Sequence, residues 1–331
     1  MDVRNAGIKV SEKTVTQDVR AIGAGETGAV SQSYVRPLPS FFIIGPPRTG
    51  TSWLHEVLSG STVLPHPTKE TRFFDRYFHR GIQWYLDHFP ASNGSRQPVG
   101  EVAPTYFASD EARERIAHLI PNSKVVCIFR NPVERVLSLY RLKRAYAMLP
   151  WSFEEAIIRD PELLQSASYV ANFVAWQRAL GAGQVLATVF DDLQDDPQSY
   201  VDALADFIGI PRFTIAASLV RRVNDSASMT LPRSYYRTRG ATVIAEWCKA
   251  RRLDRIVAAV KNSRFRKLFL GGGPRFTELP QDAALKLWEL FRPEVKALEV
   301  MLNRDLSAWK PSQSAMAAAA GQIKTSAVPE S

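Results

Sequence analysis

The sequence predicts an α/β protein of three layers, in which a central parallel sheet is flanked by helices on both faces. One observation is that short apolar runs of strand length alternate with segments of helical periodicity over residues 41–208. Another is that the first apolar run, Phe41–Ile44, leads at once into a glycine-containing turn and a helix start. Since the carboxyl ends of parallel strands meet at one edge of a sheet, we expect the functional site beyond that edge.

The turn after the first strand, Gly45–Gly50, has the pattern of an anion-binding loop. Thr51 and Ser52 open a helix whose apolar residues fall on one face. Consecutive backbone N–H groups of such a loop point toward one place, and the helix N-terminus adds partial positive charge. The stretch therefore predicts a site for a phosphate-like group, with a plain strand–turn–helix connection as the alternative.

The spacing of this loop nearly matches the P-loop of nucleotide triphosphatases, which reads glycine, four residues, glycine, lysine and then serine or threonine. Gly45, Gly50 and Ser52 fit that frame, but Thr51 stands in the lysine position and the loop's cation is Arg48. The missing lysine normally reaches the β- and γ-phosphates, so its loss argues against an ordinary NTPase. We therefore predict a P-loop-like fold whose anion needs a differently placed cation.

The composition is that of a globular protein with a sizeable core and an anionic partner. The chain has 331 residues, of which 45% are hydrophobic and 23% charged, and its formal net charge is +9. A nucleotide, an acidic polymer or a membrane surface would each suit this charge. Cys127 and Cys248 lack metal-ligand spacing and are predicted to be buried thiols in a reducing compartment.

The two ends of the chain differ from its middle. Residues 1–36 are polar and without sustained periodicity, which predicts a flexible arm, and residues 311–331 predict a disordered tail. Residues 37–310 are predicted to form a single domain. Because no apolar run reaches membrane-span length and the first residues lack the apolar centre of a signal peptide, we expect a cytoplasmic protein.

The remaining elements follow from apolar runs, helical periodicity and breakers such as Pro104, Pro121 and the glycine-rich break at 271–273. The predicted strands are Val99–Phe107, Lys124–Phe129 and Val185–Phe190. The predicted helices are Arg76–Phe89, Glu111–Ile120, a helix from Asn131 through Ala145, Phe153–Arg159, Tyr169–Leu180, Ser199–Ile208, Val243–Val260, Phe265–Leu270 and Gln281–Leu302.

The clearest buried strand, Lys124–Phe129, ends at Arg130 and is followed by a strong helix start. Asn131 is predicted to cap the helix, Pro132 to occupy its first position and Glu134 to complete a capping box. Three features are expected on one rim of the sheet because each follows the end of a strand: the turn Gly45–Gly50, Arg130 and Asp191.

Three segments together resemble a known family. Residues 46–54, PPRTGTSWL, resemble the 5′-phosphosulfate loop of sulfotransferases that use 3′-phosphoadenosine 5′-phosphosulfate (PAPS). Residues 125–140, VVCIFRNPVERVLSLY, resemble their 3′-phosphate segment. Residues 67–75, PTKETRFFD, are similar to the segment that carries the catalytic glutamate in the branch that includes heparan sulfate sulfotransferases. Weaker similarity extends the resemblance to roughly residues 40–310.

The resemblance implies a PAPS-dependent sulfotransferase of the bacterial soluble type that requires no metal. It implies a general base, Glu70, and charge stabilisation by Arg48 during in-line transfer to a hydroxyl or amine. The alternatives are that Glu70 and Lys69 form only a solvated pair, or that His55 or His66 is the base. The residues implied to bind PAPS are Arg48, Thr49, Gly50, Thr51, Ser52, Arg130 and Ser138, with Arg275 as the expected third 3′-phosphate ligand.

The acceptor is left open by the residues. O-sulfotransferases of glycosaminoglycans typically have a lysine where this chain has Val102, which weakens a heparan-like substrate and leaves a carbohydrate, phenol, lipid or secondary metabolite. Trp84, Tyr85, Tyr106 and Phe107 would either line an apolar acceptor cleft or belong to the core. We expect PAPS and a small-molecule or saccharide acceptor as partners, with no nucleic acid.

Two other functions remain as alternatives. A P-loop kinase or NTPase would use Asp191 and Asp192, which follow an apolar strand as the magnesium-binding residues of those enzymes do. A non-catalytic polyanion-binding protein would use a basic helical region, although that region lacks interleaved aromatics for nucleic acid. Its basic residues are Lys249, Arg251, Arg252, Lys261, Arg264, Arg266 and Lys267.

Overall fold

The structure is a computed structural model that describes residues 37–90, 97–220, 230–251, 253, 272–276 and 281–311. The predicted arm, residues 1–36, and nearly all of the predicted tail lie outside the described residues. The predicted helix Phe265–Leu270 lies outside them as well.

A parallel sheet forms the centre of the described chain and confirms the predicted fold class. Its four strands lie in the order β2-β1-β3-β4 and are all parallel. Ile43 pairs with Val102 on one side and with Val126 on the other. The strands of this sheet are β1 (Phe41–Ile43), β2 (Gly100–Val102), β3 (Lys124–Phe129) and β4 (Val185–Val189), and an antiparallel pair is formed by β5 (Thr230–Pro232) and β6 (Gly272–Arg275).

Helices connect these strands. Those of the described residues are α1 (Thr51–Leu58), α2 (Ile82–Leu86), α3 (Asp110–Leu119), α4 (Pro132–Ala145), α5 (Phe153–Arg159), α6 (Glu162–Gln165), α7 (Tyr169–Leu180), α8 (Phe190–Asp195), α9 (Pro197–Ile208), α10 (Ala217–Val220), α11 (Tyr235–Ala250) and α12 (Gln281–Leu302). Within the described part of the chain, every helix is too short or too polar to span a bilayer.

Side-chain alternation along the strands creates two apolar cores, one on each face of the sheet. Val126 and Ile128 pack with residues of α1, α8 and α9 on one face. Val125, Cys127 and Phe129 point to the other face, where residues of α3, α4, α7 and α12 cover them. Because successive side chains of a strand point to opposite faces, a fully apolar strand needs helices on both sides. The three predicted layers follow directly.

The predicted helix Arg76–Phe89 is wrong as a single element. A π-helical turn at Phe73–Tyr77 and a 3₁₀ turn at Phe78–Arg80 precede the short helix α2. Gly81 separates them with φ 80° and ψ 159°, a backbone conformation that no helix contains and that glycine adopts readily. The spacing of the aromatic residues predicts a helix, but in the structure their rings pack between short turns.

Smaller differences occur at other element ends. The predicted strand Val99–Phe107 stops at Val102, because Pro104 starts a 3₁₀ turn instead. Helix α4 begins as predicted, with the Asn131 side chain accepting from the Val133 N–H. Glu134 accepts from Arg130 at 2.9 Å, so the predicted capping box gives way to an ion pair.

Candidate transfer site

The loop after β1 requires glycine at both of its predicted positions. A Cβ at Gly45 would lie 2.8 Å from the backbone nitrogen of Ile128 on the neighbouring strand. Gly50 caps α1 with φ 87°, and a Cβ there would lie 2.8 Å from the Leu193 side chain. A larger residue at either point would push the loop away from β3 or α8. The spacing of this motif is therefore dictated by close backbone packing.

The turn itself is held by internal contacts. Thr49 is fully buried and its hydroxyl donates to the carbonyl of Pro46 at 2.8 Å. Arg48 has φ 79°, which is uncommon for a residue with a side chain. Such conformations persist where the surrounding structure fixes them, and they concentrate at functional sites. The left-handed conformation of Arg48 accompanies a side chain that reaches Ser138 on α4.

The two predicted anion-binding segments meet through Arg48. Its Nε donates to the hydroxyl of Ser138 on α4 at 2.9 Å. Arg130, after β3, donates from Nη1 to the Arg48 carbonyl oxygen at 3.2 Å. Burial lowers the pKa of Arg48, and the positive charge of Arg130 lowers it further. The fold thus holds two guanidinium groups close together, which a multiply charged anion would stabilise.

Arg130 is fixed by its surroundings yet keeps a donor available. It stacks over the Phe190 ring at 4.7 Å and pairs with Glu134 at 2.9 Å. Its Nε is buried and has no hydrogen-bond partner among the described residues. A buried donor without an acceptor is costly, so this atom suits a ligand oxygen. A surface ion pair with Glu134 would account for only one of the guanidinium's contacts.

Glu70 lies close to the start of α1, and Lys69 contacts both Glu70 and the first turn of that helix. The Lys69 ammonium is 3.2 Å from a Glu70 carboxylate oxygen and 3.2 Å from the hydroxyl of Ser52 at the start of α1. Both side chains of the ion pair are about one-quarter exposed, at 24% and 28%. The pair is therefore not the freely solvated pair of the alternative. The sequence identifies Glu70 as the candidate base but treats Lys69 only as nearby positive charge or as the solvated partner of Glu70, since a lysine in a polar turn carries no distinctive local signal.

A buried carboxylate anchors the segment that carries Glu70. Glu101 on β2 is fully buried and accepts from Thr71, the residue after Glu70, through both the backbone N–H at 2.8 Å and the hydroxyl at 2.7 Å. Tyr85 donates to its other oxygen at 2.9 Å, and Tyr106 contacts both oxygens at 3.3–3.4 Å. The backbone beside Glu70 is thus tied to the sheet.

The same contacts decide the role of the aromatic residues proposed for an acceptor cleft. Tyr85, Tyr106 and Phe107 are all fully buried and belong to the core. The hydroxyls of Tyr85 and Tyr106 contact Glu101 rather than a ligand. Trp84 is half-buried and carries Arg80 over its ring at 5.3 Å. The core alternative is therefore the correct one for the three buried rings.

We expect the Glu101 carboxyl to make the protein less stable as pH rises. Burial raises its pKa to about 7 from an ordinary 4.5, although the four hydrogen bonds lower it. The pKa of Glu101 is higher in the folded than in the unfolded protein. Its contribution to the free energy of unfolding is therefore complete below pH 4.5 and is lost as the pH rises to 7. The loss amounts to roughly 3 kcal/mol. Urea unfolding at pH 5 and pH 8 should show this difference in wild type and not in Glu101→Gln, and equal pH dependence in both would contradict it.

The remaining candidate residues are placed less directly. Arg275 lies at the end of β6, paired with Thr230, rather than in a turn as expected, and its side chain is outside the description. Burial and the nearby Lys69 charge lower the pKa of His55 to about 4, and its Nε2 lacks a partner among the described residues. His66 is exposed. A base of such low pKa accepts protons weakly at neutral pH.

The carboxyl end of β4 is covered by the C-terminal segment, which sequence reasoning did not foresee. The indole of Trp309 donates to Asp191 at 3.1–3.2 Å, and Asn131 at the start of α4 donates to the Trp309 carbonyl at 2.9 Å. Arg304 pairs with Asp192 at 2.5 Å. Both aspartates of the kinase-like alternative therefore contact protein groups, and the described residues contain no group of three or more metal-ligating side chains.

Most of the basic region proposed to bind polyanions lies outside the described residues. Arg251 is described and stacks on Trp247 at 3.9 Å. Trp247 belongs to α11, which leaves several large apolar side chains exposed.

Comparison with known proteins agrees with these motifs. The family model described as "Sulfotransferase domain" matches residues 38–236, more than half of the chain. Over 289 residues the chain is 27% identical to the bovine bifunctional heparan sulfate N-deacetylase/N-sulfotransferase 2, covering 81% of this chain and 30% of that protein. The human bifunctional heparan sulfate N-deacetylase/N-sulfotransferase 3 is 31% identical over 205 residues, which are 55% of this chain and 24% of that protein. The chain thus spans less than a third of the length of these relatives.

Among solved structures, a sulfotransferase from Alicyclobacillus acidocaldarius superposes with a TM-score of 0.60 at 22% sequence identity. The match covers 83% of this chain and 100% of that chain. At this identity the likeness concerns the fold, and it confirms the predicted P-loop-like architecture.

Proposed function

The chain belongs to the sulfotransferase family, and we propose that it moves the sulfuryl group of PAPS to an amine or hydroxyl of an acceptor, with Glu70 as general base. One observation carries the proposal. Arg48 and Arg130 lie side by side at the carboxyl ends of β1 and β3, with the Arg48 Nε on the Ser138 hydroxyl at 2.9 Å. Two adjacent cations at the start of two helices suit a ligand with two anionic ends.

PAPS has those two ends, a 5′-phosphosulfate and a 3′-phosphate. In the proposal the backbone N–H groups of residues 49–52 and the Arg48 side chain bind the phosphosulfate. Arg130, with its unpartnered Nε, and Ser138 bind the 3′-phosphate, and Arg275 remains the proposed third ligand. Arginine is a better choice than lysine for a phosphate that is held by several oxygens at once.

The proposed transfer is an in-line displacement at sulfur. The acceptor nitrogen or oxygen attacks the sulfur as the bond from sulfur to the bridging oxygen breaks, and that oxygen keeps the electron pair on the departing bisphosphate. Glu70 takes the proton that the acceptor loses. Arg48 stabilises the charge that develops on the leaving oxygen without giving up its own proton, because a guanidinium is a poor acid.

For the acceptor, we propose testing an amino sugar of a saccharide first. The supporting observation is the similarity over 81% of this chain to a protein named as a heparan sulfate N-sulfotransferase. Position 102, where a lysine is typical of glycosaminoglycan O-sulfotransferases, holds a buried valine here. This difference counts against a hydroxyl of a glycosaminoglycan as the acceptor, and phenols serve as the alternative acceptors.

Calorimetric titration with the desulfonated product, 3′-phosphoadenosine 5′-phosphate (PAP), tests the proposal most directly. We expect PAP to bind at least a hundredfold more tightly than ATP or GTP, with or without magnesium. Transfer of labelled sulfuryl from PAPS is then measured to de-N-sulfated heparin and to 4-nitrophenol. Preference for ATP with magnesium would overturn the proposal and favour a kinase-like enzyme.

A further inference from the structure

Lys69 occupies a position that the motifs do not explain. Its ammonium touches both ends of the proposed reaction, the Ser52 hydroxyl at the start of α1 and the Glu70 carboxylate, each at 3.2 Å. Ser52 belongs to the segment 49–52 whose backbone N–H groups would hold the phosphosulfate, and Glu70 would receive the acceptor's proton. A group between these two must lie close to where the sulfuryl group passes from donor to acceptor.

We propose that Lys69 is a catalytic residue that binds the sulfuryl oxygens of the donor and neutralises the charge on them during transfer. This inference rests on the proposed function. The bond from acceptor to sulfur forms, the bond from sulfur to the bridging oxygen breaks, and the acceptor's proton goes to Glu70. Lys69 keeps all of its protons throughout and acts only through charge and hydrogen bonds.

The surroundings of Lys69 favour contact with an anion over a purely structural role. A structural ion pair would be satisfied by Glu70 alone, whereas this ammonium has a second contact on the loop and a third donor N–H. Its side chain is only 24% exposed, and such partial burial strengthens a contact with a charged ligand. The charged groups that face it are Glu70 on its own segment and Arg48 on the loop, and the imidazole of His55, whose pKa is lowered to about 4, also lies nearby.

These neighbours also make the proton of Lys69 easier to lose. Burial lowers its pKa and Arg48 lowers it further, although Glu70 raises it. A sulfuryl group can be held only by the charged form, so binding of the donor should weaken at alkaline pH earlier than for an ordinary lysine. Arginine at this position would stay charged and remove that dependence.

The test compares PAPS, which has the sulfuryl group, with PAP, which lacks it. In Lys69→Gln we expect the Kd for PAPS to rise about tenfold while the Kd for PAP changes less than twofold, and kcat to fall roughly 30-fold. In Lys69→Arg we expect PAPS binding to be retained and its alkaline weakening to move to higher pH. Lys296→Gln, which removes an exposed lysine of α12, is the matched control.

Each outcome decides between roles. If kcat falls while PAPS and PAP bind Lys69→Gln as they bind wild type, Lys69 only orients Glu70 and the inference is wrong. Equal weakening of both ligands would mean that the substitution disturbs the loop, and it would also overturn the inference. Failure of the wild-type protein to bind PAP would instead contradict the proposed function itself.

Discussion

Glu70→Gln should lower kcat for sulfuryl transfer about a thousandfold and leave the Kd for PAP within twofold of wild type. The amide cannot accept the proton that the acceptor loses, and general bases typically contribute 10²- to 10⁴-fold. Binding of PAP should be retained because the proposed phosphate ligands lie on the loop and on α4, whereas Glu70 lies on a separate segment anchored through Thr71. Turnover is measured with labelled PAPS and whichever of de-N-sulfated heparin and 4-nitrophenol wild type uses faster.

A matched control for this variant is Glu114→Gln, which removes an exposed carboxylate from α3 and should leave kcat unchanged. The melting temperature of Glu70→Gln should also stay close to that of wild type, since the side chain is only partly buried and forms a single, partly exposed ion pair. Retention of more than a tenth of wild-type kcat with normal PAP binding would rule out Glu70 as the base. Loss of PAP binding together with a lowered melting temperature would assign Glu70 a structural role instead.

Elements whose bounds depend only on their own residues could be predicted from the local sequence pattern. Lys124–Phe129 and Gln281–Leu302 have the bounds that their apolar periodicity and flanking breakers predict. The glycines of the loop after β1 were identified from their P-loop-like spacing, and the structure explains that spacing by close approach to β3 and by a left-handed cap. Patterns of this kind are short in sequence and are fixed by the backbone.

The features that sequence reasoning missed depend on contacts between distant residues. Trp309 reaches Asp191 across 118 positions, and Lys69 reaches Ser52 across 17. Neither pair has a period or a cap that would indicate it. The helix prediction for the aromatic segment around Gly81 was wrong for a related reason. Packing of Phe73 on Tyr85, with ring centroids 4.7 Å apart, outweighs helix propensity there.

Arg130→Ala should raise the Kd for PAP about a hundredfold, which corresponds to roughly 3 kcal/mol for a charged group with several hydrogen bonds to phosphate. Its guanidinium is held by Phe190 and Glu134, so little conformational entropy is lost when it binds. The effect should concern the 3′-phosphate alone. Calorimetric titration with AMP, which lacks that phosphate, should therefore give nearly the same Kd in Arg130→Ala as in wild type.

This comparison of ligands separates binding from folding. Arg178→Ala removes an exposed arginine of α7 and lowers the net charge equally, so a general electrostatic effect would weaken PAP binding in both variants. Equal loss of PAP and AMP in Arg130→Ala would indicate that the substitution releases the Arg48 carbonyl and disturbs the loop. An unchanged Kd for PAP in Arg130→Ala would show that the Arg130 side chain does not bind PAP. A selective loss of the preference for PAP over AMP is expected only if the Arg130 side chain itself binds the 3′-phosphate.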